Sequence, residues 1–223
     1  MIKKVFSISF LVFLTLSAAV HAAEIKTDKQ KLSYALGAYF ANGVSGQNID
    51  MDVPAFLQAV QDVLNKSDLK MSDEEIQAAL KNYQQQLQAK RESAAAANKQ
   101  AGEKFLADNK TKDGVVTLPS GLEYKVLKQG DGKKPDVNSK VTVNYHGTHI
   151  DGRVFDSSYQ RGEPITLNLS QTIKGWQEIV PLMNVGSKYQ VYIPADLAYG
   201  ERGAGTIGPN ETLVFDIELL SID

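Results

Sequence analysis

Between residues 152 and 164 the chain reads GRVFDSSYQRGEP, with Asp156 ahead of Arg161 and Ser157, Ser158 and Tyr159 between them. Acid, hydroxyls and base in one short stretch are the ingredients of hydrolysis. Ser-His-Asp chemistry, however, needs an imidazole to relay the serine proton. The histidines are His21, His146 and His149. The sequence places none of them as a base for Ser157 or Ser158, so that route is rejected. His146 and His149 form an HxxH pair, but residues three apart on a strand point to opposite faces. No cysteine or close carboxylate pair completes a ligand set, and no metal is expected. GAGTIG at 203–208 matches the letters of GxGxxG. A dinucleotide site needs a strand before it and a helix after it. Here Pro209 and the strand-like NETLVFDIELL follow, so the glycines are read as letting a surface loop turn back on itself.

The elements around these residues divide the chain in two. From KTKDGVVTLPSG onward glycine and proline become frequent. LEYKVLKQG, KVTVNYHG, ITLNLS, KYQVYIP and TLVFDIELLSI carry the β-branched and aromatic residues of strands. Asp151-Gly152 marks a tight hairpin. One helical piece, KGWQEIVPLM, interrupts the strands. Residues 113–223 therefore predict an α+β domain, an antiparallel sheet with one short helix. On such strands Tyr145, Phe155 and Phe215, like the lone Trp176, read first as core residues.

Residues 29–112 read as helix nearly throughout. Leu32, Ala35, Leu36, Tyr39, Phe40 and Gly43 recur at helical spacing, as do Phe56, Leu57, Val60, Val63 and Leu64. Asp52 and Pro54 mark the second start. Ser72 and Glu75 form the capping box of a third helix, whose stripe Ile76, Leu80, Tyr83 and Leu87 then stops. The rest of that helix is rich in Ala, Lys, Gln and Glu, and is read as an exposed polar spacer. Three helices with so little chain bury a small core, so residues 24–90 are expected to dimerise; a self-contained bundle is the alternative.

The first 22 residues have the form of a secretory signal peptide. MIKK is a positive start, VFSISFLVFLTLSAAV an apolar run, and VHA a small-residue cleavage site after Ala22. A membrane anchor is the alternative, but the run is short for a ~20-residue span. Domains are thus expected at 1–22 (signal), 23–71 (helical dimerisation), 72–112 (long connecting helix, its first half in the dimerisation domain) and 113–223. Loss of Lys3 and Lys4 leaves 22 basic against 26 acidic residues. That balance speaks against nucleic acid, which calls for a basic patch. The chain has no cysteine, so an exported form relies on packing and not on disulfides. A periplasmic or bacterial cell-surface location is expected.

Taken in order, VTVNYHG, GRVFDSSYQRGEP, IKGWQEIVPLMNVGSK, YIPADLAYGERGAG and NETLVFDIELLSI resemble the FKBP-type peptidyl-prolyl isomerase domain over roughly residues 115–223. The signal-like start and long helix resemble that family's dimeric bacterial subgroup. The resemblance implies a half-barrel sheet wrapped around the helix at 175–183, with a slot for a proline ring. It implies Trp176 as the floor, with Tyr145, Phe155, Ile173 and Phe215 as walls. Asp156 would be oriented by Arg161, and Tyr199 and the Ile173 N–H would donate to the substrate. Asp156 and Tyr199 are thereby the catalytic candidates. Ile165 and Thr172 complete the lining, at positions where the family often has an aromatic and a valine. The implied activity is X-Pro isomerisation during folding of exported proteins, with chaperone activity. The alternative is a dimeric client-holding chaperone whose pocket binds without significant catalysis. Partners would be unfolded proline-containing chains, a second copy and macrolides such as rapamycin; no cofactor is implied.

Overall fold

In the computed structural model, residues 24–45 and 49–223 are described. The signal-peptide expectation falls on 1–22 and lies outside them. Among the described residues no helix is long and apolar enough to cross a membrane. The chain divides into two compact units between Met71 and Ser72.

The first unit holds α1 (Asp28–Ser45) and α2 (Val53–Asn65). Asp52 caps α2 by accepting from the Ala55 N–H at 2.9 Å, and Lys66 closes it in a left-handed conformation. Phe40 and Phe56 stack at 5.0 Å. No described residue of α1 is buried. Tyr39 is 82% and Leu64 76% exposed, and Leu32, Leu36, Leu57 and Val63 are more than half exposed.

The second unit opens with α3 (Asp73–Asn109), 37 residues and so about 55 Å at 1.5 Å per residue. Its capping box is formed: the Ser72 hydroxyl accepts from the Glu75 N–H, and the Glu75 carboxylate from the Ser72 N–H. The strands follow as β1 (Val115–Thr117), β2 (Glu123–Lys128), β3 (Lys140–His149) and β4 (Val154–Ser157). After a single helical turn, α4 (Ser158–Arg161), come β5 (Ile165–Asn168), α5 (Lys174–Ile179), β6 (Lys188–Ile193) and β7 (Leu213–Ile222). They form one antiparallel sheet in the order β1-β2-β6-β7-β3-β4, with β5 also paired to β3. Along β3 alternate residues are buried, so Val141, Val143, Tyr145, Gly147 and His149 face one side. That side packs against Trp176, Ile179, Val180 and Met183 of α5 and the turn after it. Leu122, Val141, Val143, Leu169, Ile193, Leu213, Ile217 and Leu219 are sealed from solvent. Each such side chain contributes roughly 1.5–3 kcal/mol of transfer free energy.

The C-terminal half of α3 corrects the sequence reading. It is docked on the sheet and is not an exposed spacer. Gly102 and Asn109 are buried, and Phe105 meets the Tyr192 ring at 5.9 Å. Asn109 Nδ2 donates to Glu123 Oε2 at 2.8 Å, and Glu123 is itself buried. Burial raises the Glu123 carboxyl above its ordinary value, partly offset by the Asn109 hydrogen bond and by Lys110 and Lys112. The docked stripe runs through Ala95, Asn98, Gly102, Phe105, Leu106 and Asn109. It is helically spaced but made largely of small and amide residues, so counting apolar side chains did not reveal it.

Gly102 shows how tight the docking is, because a Cβ built there would overlap the Thr212 hydroxyl and lie 3.1 Å from Thr212 Cβ. On a free helix Gly102→Leu would be stabilising, since leucine is the better helix former. Here the sign reverses: overpacking is expected to cost about 1–3 kcal/mol. Thermal unfolding followed by circular dichroism checks this, and a raised midpoint would contradict the docked helix.

Candidate functional site

Four aromatic rings converge where β3, β4, β7 and α5 meet. Tyr145 and Trp176 lie edge-on at 5.5 Å, as do Trp176 and Phe215 at 5.5 Å and Phe155 and Phe215 at 5.4 Å. Tyr145, Trp176 and Phe215 point inward because alternation on β3 and β7, and the first turn of α5, bury them. Gly147 makes room for the fourth ring: a Cβ there would sit 2.7 Å from the Phe155 ring. The rings border a cavity of about 510 Å³.

Of the sequence candidates, Tyr145, Phe155, Asp156, Ile165, Thr172, Ile173, Trp176, Tyr199 and Phe215 all line this cavity. Arg161 does not line it but grips two residues that do. Its guanidinium donates to Asp156 Oδ1, and its second nitrogen donates to the Tyr145 hydroxyl at 2.6 Å. That hydroxyl in turn donates to Asp156 Oδ2. The guanidinium also lies over the Tyr145 ring, 5.3 Å from its centroid. Helix α4 produces this geometry by reversing the chain after β4, so Arg161 turns back onto Asp156.

The triangle sets the charge on Asp156. Burial by itself would raise the carboxyl, but hydrogen bonds from Tyr145 and Arg161, the guanidinium charge and the Ser157 backbone N–H hold it below the ordinary carboxylate value. Burial, together with its bond to Asp156, raises the Tyr145 phenol. Asp156 is thus a fixed anion, poorly suited to take up a proton. Tyr199 stands at the rim, 39% exposed, its phenol raised by burial and by the charge of Asp156. The Ile173 N–H, at the start of α5, donates to no backbone carbonyl of the described residues. The site therefore offers an aromatic slot, a fixed anion on one wall and two donors near the mouth.

Leu167, Gln171, Lys174 and Ala198 also line the cavity and were not singled out from sequence. Leu167 was findable, since it shares the face of Ile165 two residues away on β5. Lys174 and Ala198 adjoin Ile173 and Tyr199 in sequence. Gln171 likewise adjoins Thr172.

The two serines need a different account from the one the sequence suggested. His146 pairs with Ser157 across β3 and β4, and its Nδ1 lies 3.2 Å from the Ser157 hydroxyl. An imidazole does stand beside a serine, contrary to expectation, because strand register brings them together. Hydrolysis fails for another reason: Ser157 and Ser158 are buried and neither lines the cavity. The Ser158 hydroxyl accepts from the Tyr145 N–H at 2.9 Å, so it pins α4 to β3. His149 occupies the opposite face of β3 from His146, as alternation requires, and among the described residues no His, Cys, Asp and Glu cluster could hold a metal.

Residues 131–220 match the family described as FKBP-type peptidyl-prolyl cis-trans isomerase, and residues 29–126 match the domain amino terminal to it. The chain belongs to the FKBP-type peptidyl-prolyl isomerases. It is 45% identical to the outer membrane protein MIP of Legionella longbeachae, over 93% of this chain and 91% of that one. Its identity to the peptidyl-prolyl cis-trans isomerase Mip of Coxiella burnetii is 42%, over 94% of each. The crystal structure of FkpA from Escherichia coli superposes with a TM-score of 0.64 at 39% identity, covering 90% of this chain and 99% of that one.

Proposed function

We propose that the cavity binds the proline of an unfolded or partly folded exported chain and accelerates rotation of the preceding peptide bond. One observation carries this: an aromatic slot with a fixed anion and unspent donors, and no serine, histidine or cysteine lining it. Rotation about X-Pro crosses a barrier of ~18–20 kcal/mol because twisting breaks amide resonance. No covalent bond is made or broken, so neither nucleophile nor base is required. The twisted carbonyl is less polar than the planar one, so a dry aromatic pocket stabilises it preferentially. Only such preferential stabilisation raises the rate. In this reading Trp176 is the floor, and Tyr145, Phe155, Ile173 and Phe215 form the walls beside the proline ring. Ile165 and Thr172 meet the flanking residues. The Tyr199 hydroxyl and Ile173 N–H hold substrate carbonyls, and Asp156, kept in place by Arg161, sets the wall's field.

The same reading makes the protein a homodimer with chaperone activity, acting in the periplasm or at the cell surface. The exposed apolar side chains of α1 and α2 support the dimer, because monomeric proteins rarely leave such large apolar patches in water. A second copy would cover them, with the first half of α3 contributing. The test is proline-limited refolding of a model client, with and without rapamycin. Acceleration that rapamycin abolishes is the expected result. Client protection without acceleration would favour the alternative, a holding chaperone whose pocket binds and does not catalyse.

A further inference from the structure

We propose that Glu211 and His149 are positioning residues for the proline pocket, joining the rim loop that carries Tyr199 to the strand that backs Phe155. The proposal rests on the isomerase reading of that pocket. Neither residue lines the pocket, yet both are largely withdrawn from water, with side chains 7% (His149) and 18% (Glu211) exposed. Charged side chains are rarely buried without partners, and the partners here lead to the site from two directions.

On one side, Glu211 Oε1 accepts from the Gly208 N–H at 3.0 Å. The Asn210 N–H, next in the chain to Glu211, donates to the Gly200 carbonyl at 2.9 Å. Gly200 follows Tyr199, so these bonds close the rim loop on itself at the residue after Tyr199. On the other side, Glu211 Oε2 takes a hydrogen bond from His149 Nδ1. A carboxylate only accepts, so that ring nitrogen carries the proton. The His149 ring then meets the Phe155 ring edge-on at 5.4 Å. One carboxylate thus spans the loop holding the donor and the wall holding a ring. The far side of the loop is braced by α3, where Asn98 Nδ2 donates to the Pro209 carbonyl at 2.8 Å and Arg91 to the Arg202 carbonyl at 2.7 Å. The neighbouring Asp151 and Arg153 pair with each other at 2.8 Å on the exposed turn.

If the loop and wall were independent, loss of the carboxylate would cost only folding stability. If Glu211 sets their spacing, each folded site should turn over more slowly. Rapamycin titration counts folded sites, so rates per titrated site separate the two. For a short X-Pro peptide, Glu211→Ala is expected to lower kcat/KM per site about tenfold, the size of a lost hydrogen bond to a charged group. Glu211→Gln keeps the acceptor for Gly208 and can donate to His149 in its other tautomer, so it should stay within about twofold of the wild type. His149→Leu preserves apolar contact with Phe155 but severs the tether, and should fall close to Glu211→Ala. Because the two residues share one link, the double variant should be no worse than Glu211→Ala. Per-site rates unchanged in both Glu211→Ala and His149→Leu, or losses that multiply in the double variant, would overturn the proposal. Should Glu211→Ala fail to fold, His149→Leu alone decides. A wild-type protein without isomerase activity would refute the underlying reading, whereas an active wild type with insensitive variants would refute only the tether.

Discussion

Asp156→Ala is expected to lower kcat/KM for X-Pro isomerisation about thirtyfold, as roughly 2 kcal/mol of charge-assisted hydrogen bonding is lost. The carboxylate holds the Tyr145 hydroxyl and the Arg161 guanidinium together. Without it the hydroxyl turns away, the guanidinium loses its anchor, and the pocket wall loses both shape and field. Side-chain exposure of 43% keeps the loss below that of a fully buried pair. Asp156→Asn keeps the shape and one acceptor, so its loss should be clearly smaller. A general base would behave differently, with equal and near-complete loss in both variants. The pH profile separates the cases again. Asp156 titrates below the ordinary carboxylate value of 3.8 in the folded protein. Its contribution to stability is therefore fully present above that value and is lost as pH falls through the lower folded one. Between pH 5 and 8 it stays ionised, and the rate should show no ionisation from this group. Initial rates on a short X-Pro peptide across that range, for the wild type and both variants, provide the measurement.

The second large effect concerns assembly. The mature protein is expected to sediment at about twice its monomer mass, because the proposed second copy would cover the apolar residues of α1 and α2. A fragment of residues 88–223 should be monomeric and retain isomerase activity on short peptides. The cut is placed there because α3 approaches the sheet domain from Gln88 and Arg91 onward. A fragment starting at 112 would strip Phe105 and Asn109 from Tyr192 and Glu123. Glu123 would then lose its buried partner, and the melting point should fall. Sedimentation velocity on the full chain and both fragments checks the masses. A monomeric mature protein, or a dimeric 88–223 fragment, would remove the N-terminal helices as the assembly site.

Much of this could be read directly from the order of residues. Alternation along β3 and the final strand announced an antiparallel sheet, and Ser72 with Glu75 marked the start of α3, because periodicity and capping are local properties. Asp156, Arg161, Trp176 and Tyr199 could be singled out because their motifs keep them in a recognisable order. Two features were decided only by the tertiary structure. The docking of α3 depends on a stripe of Ala95, Asn98, Gly102 and Asn109 fitting against Thr212 and Glu123; shape complementarity between distant segments leaves no apolar period to count. The neighbours of the two strand histidines depend on register. Pairing β3 with β4 put His146 beside Ser157, and the return of the rim loop put Glu211 beside His149, 62 residues away in the chain. Local chemistry therefore determined which residues could form a proline slot. Long-range packing decided which groups hold that slot in shape, since side chains far apart in sequence acquire a separation only when the sheet closes.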